Sequence, residues 1–345
     1  MIYLNNEIHI AMYLSDKDGW YSKYTATTIV SVLENTKEEI CIHFFHDGTI
    51  NEKFFRDIVN RYNQKIIFYK IEIEKDFGNI ITEKPQWRFS MMKFYIFEKC
   101  DVDRIIFLDS GDVLVLGDIK RFWNLNIDDY FCGVVTDLKE TTDITVNNVY
   151  YKKLNINPKK YFNSGIMFFN LKYIRQKFNV ILEAKQFFLN HKYFPFIEQD
   201  FFNYLLKDKI KVLDAKYHFL ADNIDVITPK SLENILLVHF AGIFKPWCCT
   251  NESVIRLYSN YYGKIFDENK NEELKNFIIR IPKNFSEKMN LKNSLIYYRK
   301  KDRITSILCL LKGFLSNTSF KNGYINLIKI KNRIQYRYYY FKEKR

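Results

Sequence analysis

The chain has 345 residues, 47% of them apolar and 27% charged, with a formal net charge of +13. That composition excludes a disordered polymer and supplies a sizeable core, and the length fits one α/β domain with an appendage. Six cysteines without a C-x-x-C pair, two of them vicinal at Cys248 and Cys249, argue against a disulfide framework and for free thiols in a reducing compartment.

The charge is uneven. Residues 291–345 hold 14 Lys or Arg against Asp302 and Glu343, so this tail carries +12 and residues 1–290 only +1. The N-terminus enters a strand-like segment without a basic region and apolar core of signal-peptide length, and no stretch reaches about 18 uninterrupted apolar residues. A cytoplasmic protein is expected, free or peripheral on the cytoplasmic face of a membrane.

In chain order, residues 7–15 read as a first strand and Tyr24 to Asn35 as a helix, with Ile29, Val32 and Leu33 on one face. A second strand is expected over Ile40 to Phe45, a helix over Asn51 to Tyr62, and a third strand over Lys65 to Ile73. This alternation predicts a mixed or parallel sheet with helices on both faces. Arg88 to Lys99 reads as a helix, with Met91, Phe94 and Tyr95 at helical spacing. Ile105 to Leu108 is a strand buried on both faces, and Val113 to Leu116 is a second apolar run. Phe122 and Trp123 fall on a short helix, and Tyr130 to Val135 on a strand ending at Asp137. Residues 138–160 are polar and aperiodic, a mobile loop. Ile166 to Leu171 is an apolar run, followed by a helix from Lys172 to Leu189 and another over Phe201 to Leu206. Strands at 211–213 and over Ile235 to Phe240 complete the reading.

The organising stretch is the break at Asp109-Ser110-Gly111-Asp112. Two carboxylates at the carboxyl end of a buried strand stand where open α/β sheets place ligands. Gly111 lets the backbone turn without a Cβ penalty. Two readings are open on spacing alone. Converging carboxylates repel unless a cation lies between them, and hard oxygen ligands favour Mg²⁺ or Mn²⁺. An ordinary turn with an Asx cap uses the same residues.

Four blocks in order decide between them. They are Phe107-Leu-Asp-Ser-Gly-Asp-Val-Leu-Val-Leu-Gly-Asp118, Phe162-Asn-Ser-Gly165, Glu198-Gln-Asp200 and His239-Phe-Ala-Gly-Ile-Phe-Lys-Pro-Trp247. Together they resemble family 8 glycosyltransferases, the group of lipopolysaccharide galactosyl- and glucosyltransferases and the glycogenins. The resemblance covers roughly residues 7–250. It implies a GT-A-like, Rossmann-like mixed sheet flanked by helices over 1–250, with a helical basic region over 251–345. The family spaces its two metal-binding aspartates as D-x-D, so the pair here carries one inserted residue, read as a small bulge.

The resemblance also implies roles. Asp109, Asp112 and His239 would hold Mn²⁺ or Mg²⁺. Lys245, Gly242 and Lys93 would face the diphosphate of a UDP-glucose or UDP-galactose donor, and Asp16 its uracil or ribose. Asn163 would bond the donor sugar or ribose, and Asp137 the sugar hydroxyls. Gln199, next to Glu198, would lie beneath the anomeric carbon. The plain alternatives are a turn or cap for Asp16, a surface lysine for Lys93, a solvated lysine for Lys245 and a packed histidine for His239.

In the tail, Ile304, Ile307, Leu308, Leu311, Phe314 and Leu315 share one helical face among basic and aromatic residues. This pattern suits an anionic membrane surface, which fits a saccharide or glycolipid acceptor. A packed appendage is the plain alternative, and nucleic acid the weaker rival. Two other classes are weighed: a metal-dependent nucleotidyltransferase, which lacks a Gly-rich phosphate loop, and a non-catalytic membrane or nucleic-acid binder in which Gly111 has spoiled the metal site.

Overall fold

Continuous or alternating apolar segments give this chain a sheet that buries both of its faces. The computed structural model describes residues 7–265, except 79, 81–84, 138–150, 192–195, 222–226, 242–244 and 249–250. Strands β1 (Ile8–Leu14), β2 (Ile40–His46), β3 (Lys65–Lys70) and β4 (Arg104–Leu108) are parallel neighbours. β5 (Val113–Val115) leaves for a second sheet, while β6 (Cys132–Val134), β7 (Ile166–Asn170) and β8 (Ile210–Val212) extend the first. The large sheet has the order β3-β2-β1-β4-β7-β6-β8, with β7 antiparallel to both β4 and β6. β9 (Phe219–Leu220) and β10 (Leu237–His239) join β5 in a three-stranded sheet, β10 antiparallel to β5.

The period of two along each strand sorts side chains into two cores. Ile8, Ile10, Met12 and Leu14 of β1 with Ile106 and Leu108 of β4 enter one core; Ala11, Ile105 and Phe107 enter the other. The first core is covered by α1 (Ser22–Asn35), α2 (Glu52–Arg61), the short α5 (Lys120–Trp123) and the small sheet. The second is covered by α3 (Ile73–Phe77), a 3₁₀ stretch over Pro85–Tyr95 running into α4 (Ile96–Lys99), and α6 (Leu171–Lys177), α7 (Val180–Asn190) and α8 (Glu198–Leu205). Ile105 to Leu108 are all fully buried, at about 1.5–3 kcal/mol for each large apolar side chain. A last helix, α9 (Glu252–Tyr262), packs Val254, Tyr258 and Tyr262 into the first core, so the packed body continues to Ile265.

Several boundaries differ from those read in sequence. β3 stops at Lys70 rather than Ile73. Ile73 instead opens α3, whose first turn carries Glu74 and Asp76 where a helix dipole favours acid. Tyr95 belongs to the 3₁₀ stretch, in which Met91 and Phe94 repeat every three residues into the core. The helix expected over 172–189 is two helices. Phe178 is extended, and the Asn179 side chain caps α7 by accepting the Leu182 N–H at 3.1 Å. β9 has no counterpart in the sequence reading. Of the loop expected at 138–160, residues 138–150 lie outside the described residues. The remainder is ordered by a helical end at 151–153, with Tyr151 buried, and a 3₁₀ turn at Pro158–Lys160. The basic tail lies outside the described residues.

Candidate active site

The strand order reverses between β1 and β4, and ligands of open α/β sheets bind at such a switch point. Asp16 follows β1 there and Asp109 follows β4. The turn after β4 is built around Gly111, at φ +90°. Its N–H donates to Thr28 Oγ1 at 3.1 Å, and its carbonyl accepts from the Tyr258 hydroxyl at 3.1 Å. A Cβ at 111 would stand 2.7 Å from the Tyr21 ring, so both backbone angle and space demand glycine. The extra residue is absorbed in this turn, and the two carboxylates still meet.

The small sheet brings the third group. β10 pairs His239 with Val113, next to Asp112, and the Phe240 N–H donates to the Asp112 carbonyl at 2.8 Å. His239 Nε2 is 3.7 Å from Asp109 Oδ2 and 3.8 Å from Asp112 Oδ1. One ligand atom from each of the three lies within 4.8 Å of the others. Asp109 Oδ1 is buried and has no hydrogen-bond partner among the described residues. Burial, countered by Lys93 and reinforced by Asp112 and Glu198, lifts the Asp109 carboxyl to about 7.

Two lysines flank the carboxylates. Lys93 is fully buried, which overturns the surface alternative. Its ammonium donates to the Ser164 carbonyl at 2.8 Å and lies 3.4 Å from Glu198 Oε1 and 3.7 Å from Asp109 Oδ1. It thus sits beneath the acids as their counter-charge, over the face of Phe107 at 4.1 Å. Lys245 donates to Asp112 Oδ2 and, at 2.8 Å, to the Phe240 carbonyl. Gly242 lies outside the described residues.

The opposite wall comes from the Asn-Ser-Gly turn and α8. Asn163 Oδ1 accepts the Gly165 N–H at 2.8 Å, and its Nδ2 is 3.4 Å from Asp137 Oδ2. Gln199 accepts the Ser164 N–H at 3.1 Å and donates to the Tyr161 hydroxyl at 3.1 Å, so its amide is held at both ends. Glu198 Oε1 lies 3.1 Å from the Ser164 hydroxyl that donates to it. Ile197, just before α8, has φ +47°, a region a β-branched residue enters only at a cost. Asp200, fully buried, takes the Tyr161 hydroxyl and the Phe196 N–H and is a structural cap. Asp16 is engaged as a cap as well: Oδ2 accepts the Ser22 N–H at 2.6 Å and hydroxyl at 2.7 Å, holding the start of α1.

Residues 9–250 match the family model described as glycosyl transferase family 8. The chain belongs to that family. It is 25% identical over 250 residues to an Escherichia coli lipopolysaccharide 1,2-glucosyltransferase, covering 67% of this chain and 71% of that one. It is 26% identical over 257 residues to general stress protein A of Bacillus subtilis, covering 68% and 86%. Its fold matches that of the galactosyltransferase LgtC, solved with donor and acceptor sugar analogues, at a TM-score of 0.63 and 21% identity over 77% of this chain and all of the other. The GT-A-like fold of this family 8 glycosyltransferase is therefore the fold expected from its sequence.

Three of its site residues were given no role in the sequence reading, Gly165 appearing there only as the end of a motif block. Gly165 is one: a Cβ there would fall 2.2 Å from His239 Cε1 and 2.7 Å from Asp109 Oδ2, so any side chain would fill the space between the acids and the imidazole. His218 is another, fully enclosed, with Nε2 3.0 Å from His239 Nδ1 and its imidazole kept neutral by burial. If His239 Nδ1–H donates to His218, the His239 Nε2 lone pair is left to face Asp109 and Asp112. The third is Tyr258, which lies beyond the matched region and still supports the Gly111 turn. The donor set of two carboxylates and one imidazole, with an orphaned buried oxygen, fits a hard divalent cation.

Proposed function

We propose that this glycosyltransferase moves a hexose, glucose or galactose, from a UDP-sugar to a saccharide acceptor such as lipooligosaccharide or another surface glycan. We further propose that it retains anomeric configuration and uses Mn²⁺ or Mg²⁺. The observation carrying this reading is the convergence of Asp109, Asp112 and His239 with lysines on both sides. The E. coli relative is a lipopolysaccharide glucosyltransferase and the structural neighbour a galactosyltransferase, which supports both hexoses and the acceptor class. Asp109, Asp112 and His239 would hold the cation, which offsets the charge of the departing diphosphate as a Lewis acid.

The chain's own groups do the rest. Lys245 already carries its ammonium against an anionic oxygen and can exchange the Asp112 carboxylate for a phosphate. Lys93 holds Asp109 and Glu198 in place. Asp137 and Asn163 are proposed for the sugar hydroxyls. Gln199 is proposed beneath the anomeric carbon, where a clamped amide is a poor nucleophile. Retention then proceeds by attack on the face the diphosphate leaves, with a leaving phosphate oxygen taking the acceptor's proton. A glycosylated Asp or Glu trapped by mass spectrometry would refute that route.

A panel of UDP-sugars scored for UDP release with Mn²⁺ identifies the donor. Calorimetry of UDP with and without Mn²⁺ tests the reading itself; binding that ignores the metal removes it. The basic tail is proposed to hold the enzyme on the cytoplasmic face of the inner membrane, at about 1 kcal/mol per basic residue near anionic lipid. Equal liposome flotation of the full chain and residues 1–290 rules the tail out.

A further inference from the structure

A second set of side chains able to hold a metal lies at the other end of the parallel strands. His9 of β1 is in register with Cys41 of β2, and His43 follows two residues later, so all three project from one face of the sheet. One ligand atom from each lies within 4.8 Å of the other two. His9 Nδ1 and His43 Nε2 are 3.1 Å apart, close to the roughly 3.3 Å that two nitrogens span on a tetrahedral zinc. Each imidazole has a partner for its outward nitrogen. Tyr69 Oη is 3.0 Å from His43 Nδ1, and Glu7 Oε2 is 3.8 Å from His9 Nε2. The two inward nitrogens share one hydrogen bond; with its proton moved to the outer nitrogen, both lone pairs become available to an ion, the arrangement metal-ligating histidines adopt.

We propose that His9, Cys41 and His43 form a zinc site, distinct from the carboxylate site and independent of the sugar-transfer reading. Two nitrogens and a sulfur suit a borderline-soft ion such as Zn²⁺, whereas the Asp109–Asp112–His239 set suits a hard one. Imidazole ligates in its neutral form, and a cysteine thiol gives up its proton to ligate. Binding therefore replaces the S–H bond by S–Zn and releases one proton to solvent. The ion ties the starts of β1 and β2, the strands whose far ends lead to Asp16 and to the Asp47–Thr49 turn that fixes it.

The test uses Co²⁺ and the full chain, because only a thiolate ligand gives the sulfur-to-cobalt charge-transfer band in the near ultraviolet. The expected result is that band, saturating at one thiolate-bound cobalt per chain. Cys41→Ser removes the band while cobalt binding at the carboxylate site persists. Tyr69→Phe, which keeps all three ligands, leaves the band but weakens affinity about 10–100-fold. No band in the unaltered chain, or a band that survives Cys41→Ser, overturns the proposal. Unchanged affinity in Tyr69→Phe overturns the assigned orientation of His43. Circular dichroism of each variant establishes that the chain is folded.

Discussion

Asp109 and Asp112 share one turn and are held in opposite ways. Asp109 stands over Lys93, an ammonium with no exposure, fixed by the Ser164 carbonyl and unable to swing elsewhere. Asp112 is paired with Lys245, which reaches in from the segment after β10 and retains partial exposure. One positive charge is part of the scaffold; the other can leave its carboxylate for a ligand. A site that binds an anion beside two acids needs both kinds.

Four experiments test that asymmetry, beginning with the largest effect. Gly165→Ala puts a methyl into the gap between Asp109 and His239, and kcat/KM is expected to fall by about 10²-fold or more, the scale of a small misplacement in an active site. Metal-dependent UDP binding, read by calorimetry, falls with it. Lys93→Met leaves Asp109 and Glu198 without their buried counter-charge. Urea unfolding should show a loss of about 3 kcal/mol, as when one member of a buried pair is removed. Lys245→Met should leave stability within about 1 kcal/mol of the parent, since its pair is partly solvated. UDP affinity should drop about 10–100-fold, the value of a charge-assisted hydrogen bond. Equal stability losses in the two lysine variants would erase the distinction.

The smallest effect is in pH. The Asp109 carboxyl is raised to about 7, above its unfolded value, so the folded chain binds the extra proton between about pH 4 and 7. Ionised Asp109 costs stability as pH rises through that window, and only the ionised form ligates a metal. Mn²⁺-dependent UDP affinity is therefore expected to fall roughly tenfold per unit below pH 7, read by calorimetry at pH 8, 7 and 6. A flat profile would mean that Asp109 is ionised throughout.

Much of the fold was legible because its signals are local. β1, α1, β2 and α2 follow from apolar periodicity, and β4 from a run of branched and aromatic residues with no polar interruption. The break between α6 and α7 was missed because Phe178 fits an apolar helical pattern; Asn179 as a cap was the available signal. β9 is two residues long and exists only through its pairing with β10. At the site, the motif blocks mark Asp109, Asp112, His239 and Lys245. The burial of Lys93 and the tightness around Gly165 depend on contacts between distant segments, which no window of sequence contains. Asp16 shows the reverse case, a position given a ligand role by the family resemblance whose visible work is holding the start of α1.

The ladder between β5 and β10 has a consequence for biosynthesis. His239 reaches Asp112 only by pairing with Val113, more than a hundred residues earlier in translation order. A nascent chain that has emerged only through β5 presents two acids with no imidazole from β10 beside them. Nucleotide-sugar binding of the proposed kind is then acquired only once His239 has emerged. Products truncated before β10 would not sequester the donor.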